Sequence, residues 1–346
     1  MTTPVSVSVI VPNYNYGETI GLCLAALRAQ THPPLEILVA DDGSTDNSVQ
    51  VAEAHGATVL RTGGRGGAAK VRNLGAAHAR GEVLLFVDSD VAVPPDTIER
   101  VVAVLRAEPG VGALCGMYEP EPLVRDSLVQ ECRALQAYYW RITSEGPVSF
   151  LFSAICGMRA EVFTEMGPFL EGLPDNEEVE YGQRLSQRYE IRLTSAIRGR
   201  HRDDALLWPL LKKIFRRCRL RVPLYAQRRR FAKGFETAPR VWAALAAALT
   251  VLTLPLPLLL GPVAAAVPAA LLLASLLGDG PMYRFALKRR GLPFTVVFAG
   301  VQFLLNLAIV AGVGYGTAQF VLSRSFRQMY DVTRPAGVPG MRGTTA

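Results

Sequence analysis

Two carboxylates one residue apart close an uninterrupted apolar run: Val83-Leu84-Leu85-Phe86-Val87-Asp88-Ser89-Asp90. Five apolar residues in a row predict a strand buried on both faces of a parallel sheet. In open α/β sheets, ligands gather at the carboxyl ends of the strands. An Asp-x-Asp pair held there can bind a hard divalent cation, and the cation can hold a diphosphate. Acids recur at a second strand end, where Leu35 to Ala40 runs into Asp41-Asp42-Gly43-Ser44-Thr45-Asp46. Gly43 permits a tight turn there, and the Ser, Thr and Asp side chains can cap a helix. A glycine-rich loop, Gly63 to Gly67, carries Arg65 and is followed by Lys70 and Arg72. Those cations can face phosphates, or the loop can simply be flexible. The loop is neither GxxxxGK[ST] nor a GxGxxG after the first strand, which excludes a Walker or dinucleotide site.

The elements that must position these residues alternate. Val5 to Val11 is a β-branched run broken by Pro12-Asn13-Tyr14-Asn15, and a helix is expected from Gly17 to Gln30 with Ile20, Leu24 and Leu27 on one face. Strand 35–40, helix 46–55, strand 57–61 and helix 68–79 then lead into the Val83 strand. Pro94-Pro95 opens the next helix. Such alternation predicts a doubly wound α/β domain.

Four segments in series resemble the family 2 glycosyltransferases: Val9-Ile10-Val11-Pro12-Asn13-Tyr14-Asn15, Ala40-Asp41-Asp42-Gly43-Ser44-Thr45-Asp46, Val71-Arg72-Asn73-Leu74-Gly75 and Phe86-Val87-Asp88-Ser89-Asp90. The resemblance covers roughly residues 5 to 200. It implies a GT-A nucleotide-diphospho-sugar transferase fold, which is Rossmann-like, and an inverting transfer that depends on Mg2+ or Mn2+. It places Pro12 and Tyr14 beside the nucleotide base, with Asp42 accepting a hydrogen bond from it and Arg72 on the nucleotide side. Asp88 and Asp90 match the metal and diphosphate site. Asp175-Asn176-Glu177-Glu178-Val179-Glu180-Tyr181-Gly182-Gln183-Arg184-Leu185 resembles the family's ED motif and puts Glu178 at the catalytic base, where Asp is usual. Ser153, in the stretch Phe150 to Arg159, stands where the family's acceptor loop usually has Gly. His201 resembles a histidine that supplies a further metal contact.

Charge is unevenly distributed. Residues 1–197 hold 15 Lys/Arg against 25 Asp/Glu, and residues 198–240 hold 14 against 3. An acidic body thus joins a basic collar, and long apolar runs follow, an order that suits a membrane surface and not nucleic acid. The five cysteines show neither CxxC pairing nor zinc spacing and suit a reducing compartment. The N-terminus lacks signal-peptide features, so the first half is expected in the cytosol.

Leu206 to Phe231 interleaves Leu, Ile, Phe and Trp with Lys and Arg, the pattern of an interfacial helix. Gln227-Arg228-Arg229-Arg230-Phe231 resembles the QxxRW of processive synthases, but Phe replaces Trp and no membrane helix precedes the catalytic residues. Val241 to Leu277 carries no charge. As one helix it would measure about 55 Å at ~1.5 Å per residue, nearly twice a hydrocarbon core of roughly 30 Å. Two membrane helices turning at Gly261-Pro262 are therefore expected. A basic loop 278–291, on the cytosolic side by the positive-inside rule, and a third span over 293–322 should follow. A two-span arrangement with 241–277 partly re-entrant is the alternative.

The expected organisation is a GT-A domain over 1–205, an interface segment over 206–240, a membrane region over 241–322 and a tail over 323–346. The expected function is transfer of a sugar from a UDP-, GDP- or dTDP-linked donor to a lipid-linked or glycan acceptor hydroxyl. It would take place at the cytosolic face of the inner membrane, by a multi-pass protein. The alternatives are a polyprenyl-phosphate sugar synthase and a catalytically silent sugar-nucleotide-binding membrane protein.

Overall fold

A computed structural model describes residues 4–173, 175–228 and 237–330. Along the chain these form β1 (Val7–Asn13), α1 (Ile20–Arg28), β2 (Glu36–Asp41), α2 (Ser48–Ala54), β3 (Thr58–Arg61), α3 (Gly67–His78), β4 (Val83–Val87) and β5 (Val91–Ala92). Next come α4 (Thr97–Ala107), β6 (Val111–Tyr118), α5 (Leu128–Ile142), β7 (Gly146–Val148), β8 (Ile155–Arg159), α6 (Ala160–Met166), α7 (Glu177–Leu185) and β9 (Glu190–His201). The remainder is helical: α8 (Leu207–Arg228), α9 (Ala238–Thr253), α10 (Leu256–Leu260), a 3-10 turn (Pro262–Ala265), α11 (Ala266–Leu277), α12 (Gly280–Leu322) and α13 (Arg324–Arg327).

The chain divides into two compact units. Of the described residues, the first takes those within 4–118 and 144–201 together with Tyr330, and the second those within 119–143 and 202–329.

In the first unit the strands run in the order β3-β2-β1-β4-β8-β6-β9-β5, with β7 beside β9. β1 to β4 pair in parallel, as the buried apolar runs predict. The parallel expectation for the Val83 strand holds on one edge only. On its other edge β4 pairs antiparallel with β8, so the sheet is mixed. Part of the stretch expected to be a small-residue loop, Ile155–Arg159, is this inserted strand. α1 buries Ile20, Cys23, Leu24 and Leu27, the i, i+3, i+4, i+7 stripe of an amphipathic helix. They pack on Val7, Val9 and Val11, each such side chain contributing about 1.5–3 kcal/mol on burial.

The second unit departs further from expectation. α9 has 16 residues and α11 has 12, each short of the ~20 needed to span. Multiple crossing helices are therefore not supported. Among the described residues α12 is the one helix long and apolar enough to cross a membrane, by length and composition. The expected turn at Gly261 is present, with φ +89°. Residues 278–291 are not a loop. The helix resumes at Gly280 and kinks at Gly291, whose φ is +78°. Two of the arginines of this segment are paired locally, Arg289 lying 2.8 Å from Glu121 and Arg290 pairing with Glu131. That weakens their use as a topology signal. α8 forms as expected, but Leu210, Leu220 and Leu224 on it are buried by protein. Residues 229–231 of the QxxRW-like segment, and 331–346 of the tail, lie outside the described residues. All five cysteines are free thiols, four of them buried.

Candidate active site

The carboxyl ends of β1, β2 and β4 carry the site residues in three groups. At β1 and β2, Pro12 is half-buried in register with Ala40. Tyr14 lies beneath the Arg65 guanidinium, 4.6 Å from the ring centroid. Asn13 fixes the turn: its Nδ2, with two hydrogens to donate, lies 2.8 Å from Asp41 Oδ1, 2.9 Å from Ser48 Oγ and 3.1 Å from Ser44 Oγ. Asp42 is buried and accepts from the backbone N–H of Gly66 at 2.7 Å, of Gly67 at 2.8 Å, and from the Thr62 hydroxyl at 3.1 Å. Its carboxylate therefore holds the glycine loop against the end of β2. Arg65, which the sequence left as a phosphate-facing cation, instead covers the ring of Tyr14.

The second group centres on Arg72. This α3 side chain is 6% exposed and forks between two acids, Glu177 Oε1 at 2.7 Å and Asp88 Oδ1 at 3.1 Å. The Phe169 ring lies 5.9 Å from its guanidinium. Burial lifts the Asp88 carboxyl above its ordinary range, against the opposing pull of Arg72. The same acids hold the Arg72 guanidinium firmly charged despite its burial.

Glu177 and Glu178 open α7. Asn176, at φ +68°, turns the chain into that helix in the left-handed region, which Asn tolerates better than most residues. A helix N-terminus favours negative charge. Burial outweighs it: Glu177 is pushed up to about 7, first by desolvation and then by Glu178, to which it is hydrogen-bonded. Glu178 itself is half-buried, and its carbonyl accepts from Leu151 N at 3.3 Å. That bond ties the loop carrying Ser153 to the acidic helix. Gly182 permits the approach, because a Cβ there would lie 2.3 Å from Leu151 N and 2.4 Å from Phe150 Cα. Arg184, at the end of the acidic motif, works elsewhere. It pairs with Glu180 and donates to the carbonyls of Met166 and Pro168, so its role is to hold the 166–169 turn.

In the third group, Asp90 Oδ2 faces His201 Nε2 at 3.4 Å. β5 pairs with the end of β9 and aligns Val91 with His201, and the His201 imidazole stacks on Tyr118 at 4.3 Å with the rings 4° from parallel. No cluster of three His, Cys, Asp or Glu side chains able to hold a metal occurs among the described residues. The donor set is two protein groups, with the Asp88 carboxyl drawn to Arg72. Two protein donors fit a cation such as Mg2+ or Mn2+ that keeps waters and shares substrate phosphate oxygens.

Sequence reasoning missed three contributors: Asn176 as the backbone turn, Tyr118 as the platform for His201, and the depth at which Glu177 sits. An Asn directly before two acids was a readable signal for the first. Tyr118 becomes visible only once β6 and β9 are neighbours.

Residues 8–166 match the family described as Glycosyl transferase family 2. Over 179 residues the chain is 28% identical to the glycosyltransferase GlyG of Streptococcus pneumoniae, covering 46% of this chain and 58% of that one. Over 116 residues it is 36% identical to an uncharacterised glycosyltransferase of Nostoc, covering 31% and 35%. The matched regions thus span less than two thirds of these curated relatives. A mannosyltransferase from Pyrobaculum calidifontis, solved with GDP-Man and Mn2+, superposes with a TM-score of 0.57 at 22% identity over 90% of this chain and 88% of that one. The two share a fold.

Proposed function

We propose, from the match of residues 8–166 to the Glycosyl transferase family 2 model, that the protein transfers a sugar, with inversion, from a nucleotide-diphospho-sugar to an acceptor hydroxyl at the membrane. The observation that carries this reading is the Arg72 fork. One cation joins the Asp88 end of β4, the natural phosphate side, to the acidic start of α7. The fork supports a reading in which the donor lies on the Asp88 side of Arg72 and the base on its Glu177 side.

Each group then has a task. Tyr14, Pro12 and Asp42 line the end of the sheet where the base of a UDP, GDP or dTDP donor would lie, once Arg65 moves off the ring. Asp90 and His201 would hold Mg2+ or Mn2+, and the cation, when bound, supplies charge neutralisation for the departing nucleoside diphosphate. Glu178 takes the acceptor proton as the hydroxyl attacks the anomeric carbon. Glu177, hydrogen-bonded to it and held by Arg72, fixes its position. The Ser153 loop, strapped to α7, borders the acceptor. The basic α8 and the apolar helices beyond it anchor the enzyme to the cytoplasmic membrane with the catalytic unit on the cytosolic face, so the acceptor is lipid-linked or membrane-proximal.

Glu178→Gln tests the base. With a hydroxyl acceptor the substitution should lower kcat by roughly 10²–10⁴-fold and leave donor binding nearly unchanged. Glu178→Asp should fall between. A small loss with a phosphate acceptor would indicate a polyprenyl-phosphate sugar synthase, whose acceptor is already ionised. Undiminished turnover of the Gln variant on a hydroxyl acceptor would place the base elsewhere.

A further inference from the structure

The geometry of the second unit bears on how the chain meets the bilayer. Its apolar hairpin begins and ends at one polar clamp. Arg240, at the start of α9, lies 3.2 Å from Asp279, just beyond α11. Trp140 Nε1 of α5 donates to the same carboxylate at 3.1 Å, and Arg240 stacks 4.7 Å over the Trp140 ring. A Cβ on Gly278 would meet Ala243 Cβ at 2.6 Å, so the two arms are in contact at their base.

The apex has the composition of a segment immersed in hydrocarbon. From Leu254 to Ala274 there is no polar side chain. Leu258, Leu259, Leu260 and Val263 are 90, 74, 72 and 87% exposed. Hydrocarbon tolerates a turn only if its backbone donors are bonded internally. Pro255, Pro257 and Pro262 have no N–H. The N–H groups of Leu258 and Leu259 donate to Pro255 O, that of Gly261 to Pro257 O and that of Ala264 to Gly261 O. A turn facing water would need neither the prolines nor the unbroken apolar surface.

α12 is constrained differently. Beyond Gly291 it is uncharged and, at ~1.5 Å per residue, about 46 Å long. Length alone would let it cross. Yet Gly312 and Gly316 bring it against α8, where added Cβ atoms would meet Phe215 O at 2.5 Å and Arg219 O at 2.6 Å. Equal four-residue steps on both helices mean that they run side by side in the same direction. The Arg219 guanidinium lies over Tyr315 and Phe326 at 5.5 and 5.8 Å. α8 carries Lys212, Lys213, Arg216, Arg217, Arg219 and Arg221 with no acid among them, and a helix so charged stays out of hydrocarbon. Nearer its start, α12 is held by α5 through Arg290 to Glu131 and Gln136 to Gln302.

We propose that the second unit is monotopic. The α9–α11 hairpin dips into the bilayer and returns, α8 and α12 lie along the interface of the same leaflet with the α8 cations on anionic phosphate headgroups, and nothing between 238 and 330 emerges on the far side. The inference rests on the membrane anchoring proposed above, and the test separates the two. Full-length Glu53→Cys, Leu259→Cys and Ser325→Cys are reconstituted into sealed phosphatidylethanolamine and phosphatidylglycerol vesicles, with the wild-type thiols as background. A membrane-impermeant maleimide is applied outside or enclosed inside, and a permeant one is used in parallel. Glu53→Cys and Ser325→Cys should label from the same side, and Leu259→Cys with the permeant reagent alone. Labelling of Leu259→Cys by the impermeant reagent from either side overturns the proposal, as does labelling of Ser325→Cys opposite Glu53→Cys. Failure of the protein to float with the vesicles would refute anchoring itself.

Discussion

Replacing Arg72 by Met removes the one cation shared by Asp88 and Glu177 while keeping most of the side-chain volume. The three side chains are 6, 29 and 10% exposed. Removing one partner of a buried ion pair costs about 3–5 kcal/mol. Asp88 retains some access to water, so a loss near 3 kcal/mol is expected at pH 8. At ~2–4 °C per kcal/mol for a unit of this size, the melting temperature should drop by about 6–12 °C. The loss should depend on pH. Glu177 is raised from 4.5 to about 7 in the native protein, and Arg72 is among the groups holding it down. A carboxyl whose folded value exceeds its unfolded one costs stability progressively as pH rises from the unfolded value through the folded one. Without Arg72 the folded value climbs further, and the cost above pH 7 grows. At pH 5 Glu177 can stay protonated in the variant, and the deficit should shrink. Calorimetry of the full-length protein in lipid at pH 5, 6.5 and 8 reads this directly, and Arg72→Lys should recover part of the loss. A drop of equal size at pH 5 and pH 8, or one below about 2 °C at pH 8, would refute the assignment of Arg72 as an electrostatic bridge.

Asp42→Ala should weaken nucleotide binding by about 1.5–3 kcal/mol, the worth of a charge-assisted hydrogen bond, and should speed amide exchange at Gly66 and Gly67; calorimetry and hydrogen exchange check both, and unchanged affinity removes Asp42 from the site. Gly182→Ala forces a Cβ onto the Phe150–Leu151 backbone and should cost about 1–3 kcal/mol, raising the acceptor KM more than the donor Kd in steady-state kinetics. Asp90→Ala should abolish transfer while the fold survives, and nucleotide binding should lose its response to Mn2+; a retained response, measured by titration calorimetry, would exclude Asp90 as a ligand.

Much of the first unit was legible because its signals are local. The Val83–Val87 run matches β4 residue for residue, and α1 carries the stripe read from Ile20, Leu24 and Leu27. The antiparallel insertion of β8 was not legible. Ile155–Arg159 is too short to declare its direction, and its partners β4 and β6 are distant in sequence. For the site, residue types and order singled out Asp42, Arg72, Asp88, Asp90, Glu178 and His201, but not how they pair. That Arg72 serves Asp88 and Glu177 at once depends on a separation of 105 residues along the chain. In the second unit, hydropathy marked the apolar runs yet said nothing of Gly312 and Gly316. The constraint there is a neighbouring backbone, which composition does not encode.

The central claim is tested most directly by turnover. The purified protein, reconstituted in lipid with Mg2+ or Mn2+, is offered a panel of UDP-, GDP- and dTDP-sugars together with a membrane lipid extract as acceptor. The expected result is consumption of one donor class, a product of inverted anomeric configuration, and complete arrest by excess chelator. Saturable binding of a donor with neither transfer nor hydrolysis anywhere in the panel would contradict it, and would leave a sugar-nucleotide-binding membrane protein in its place.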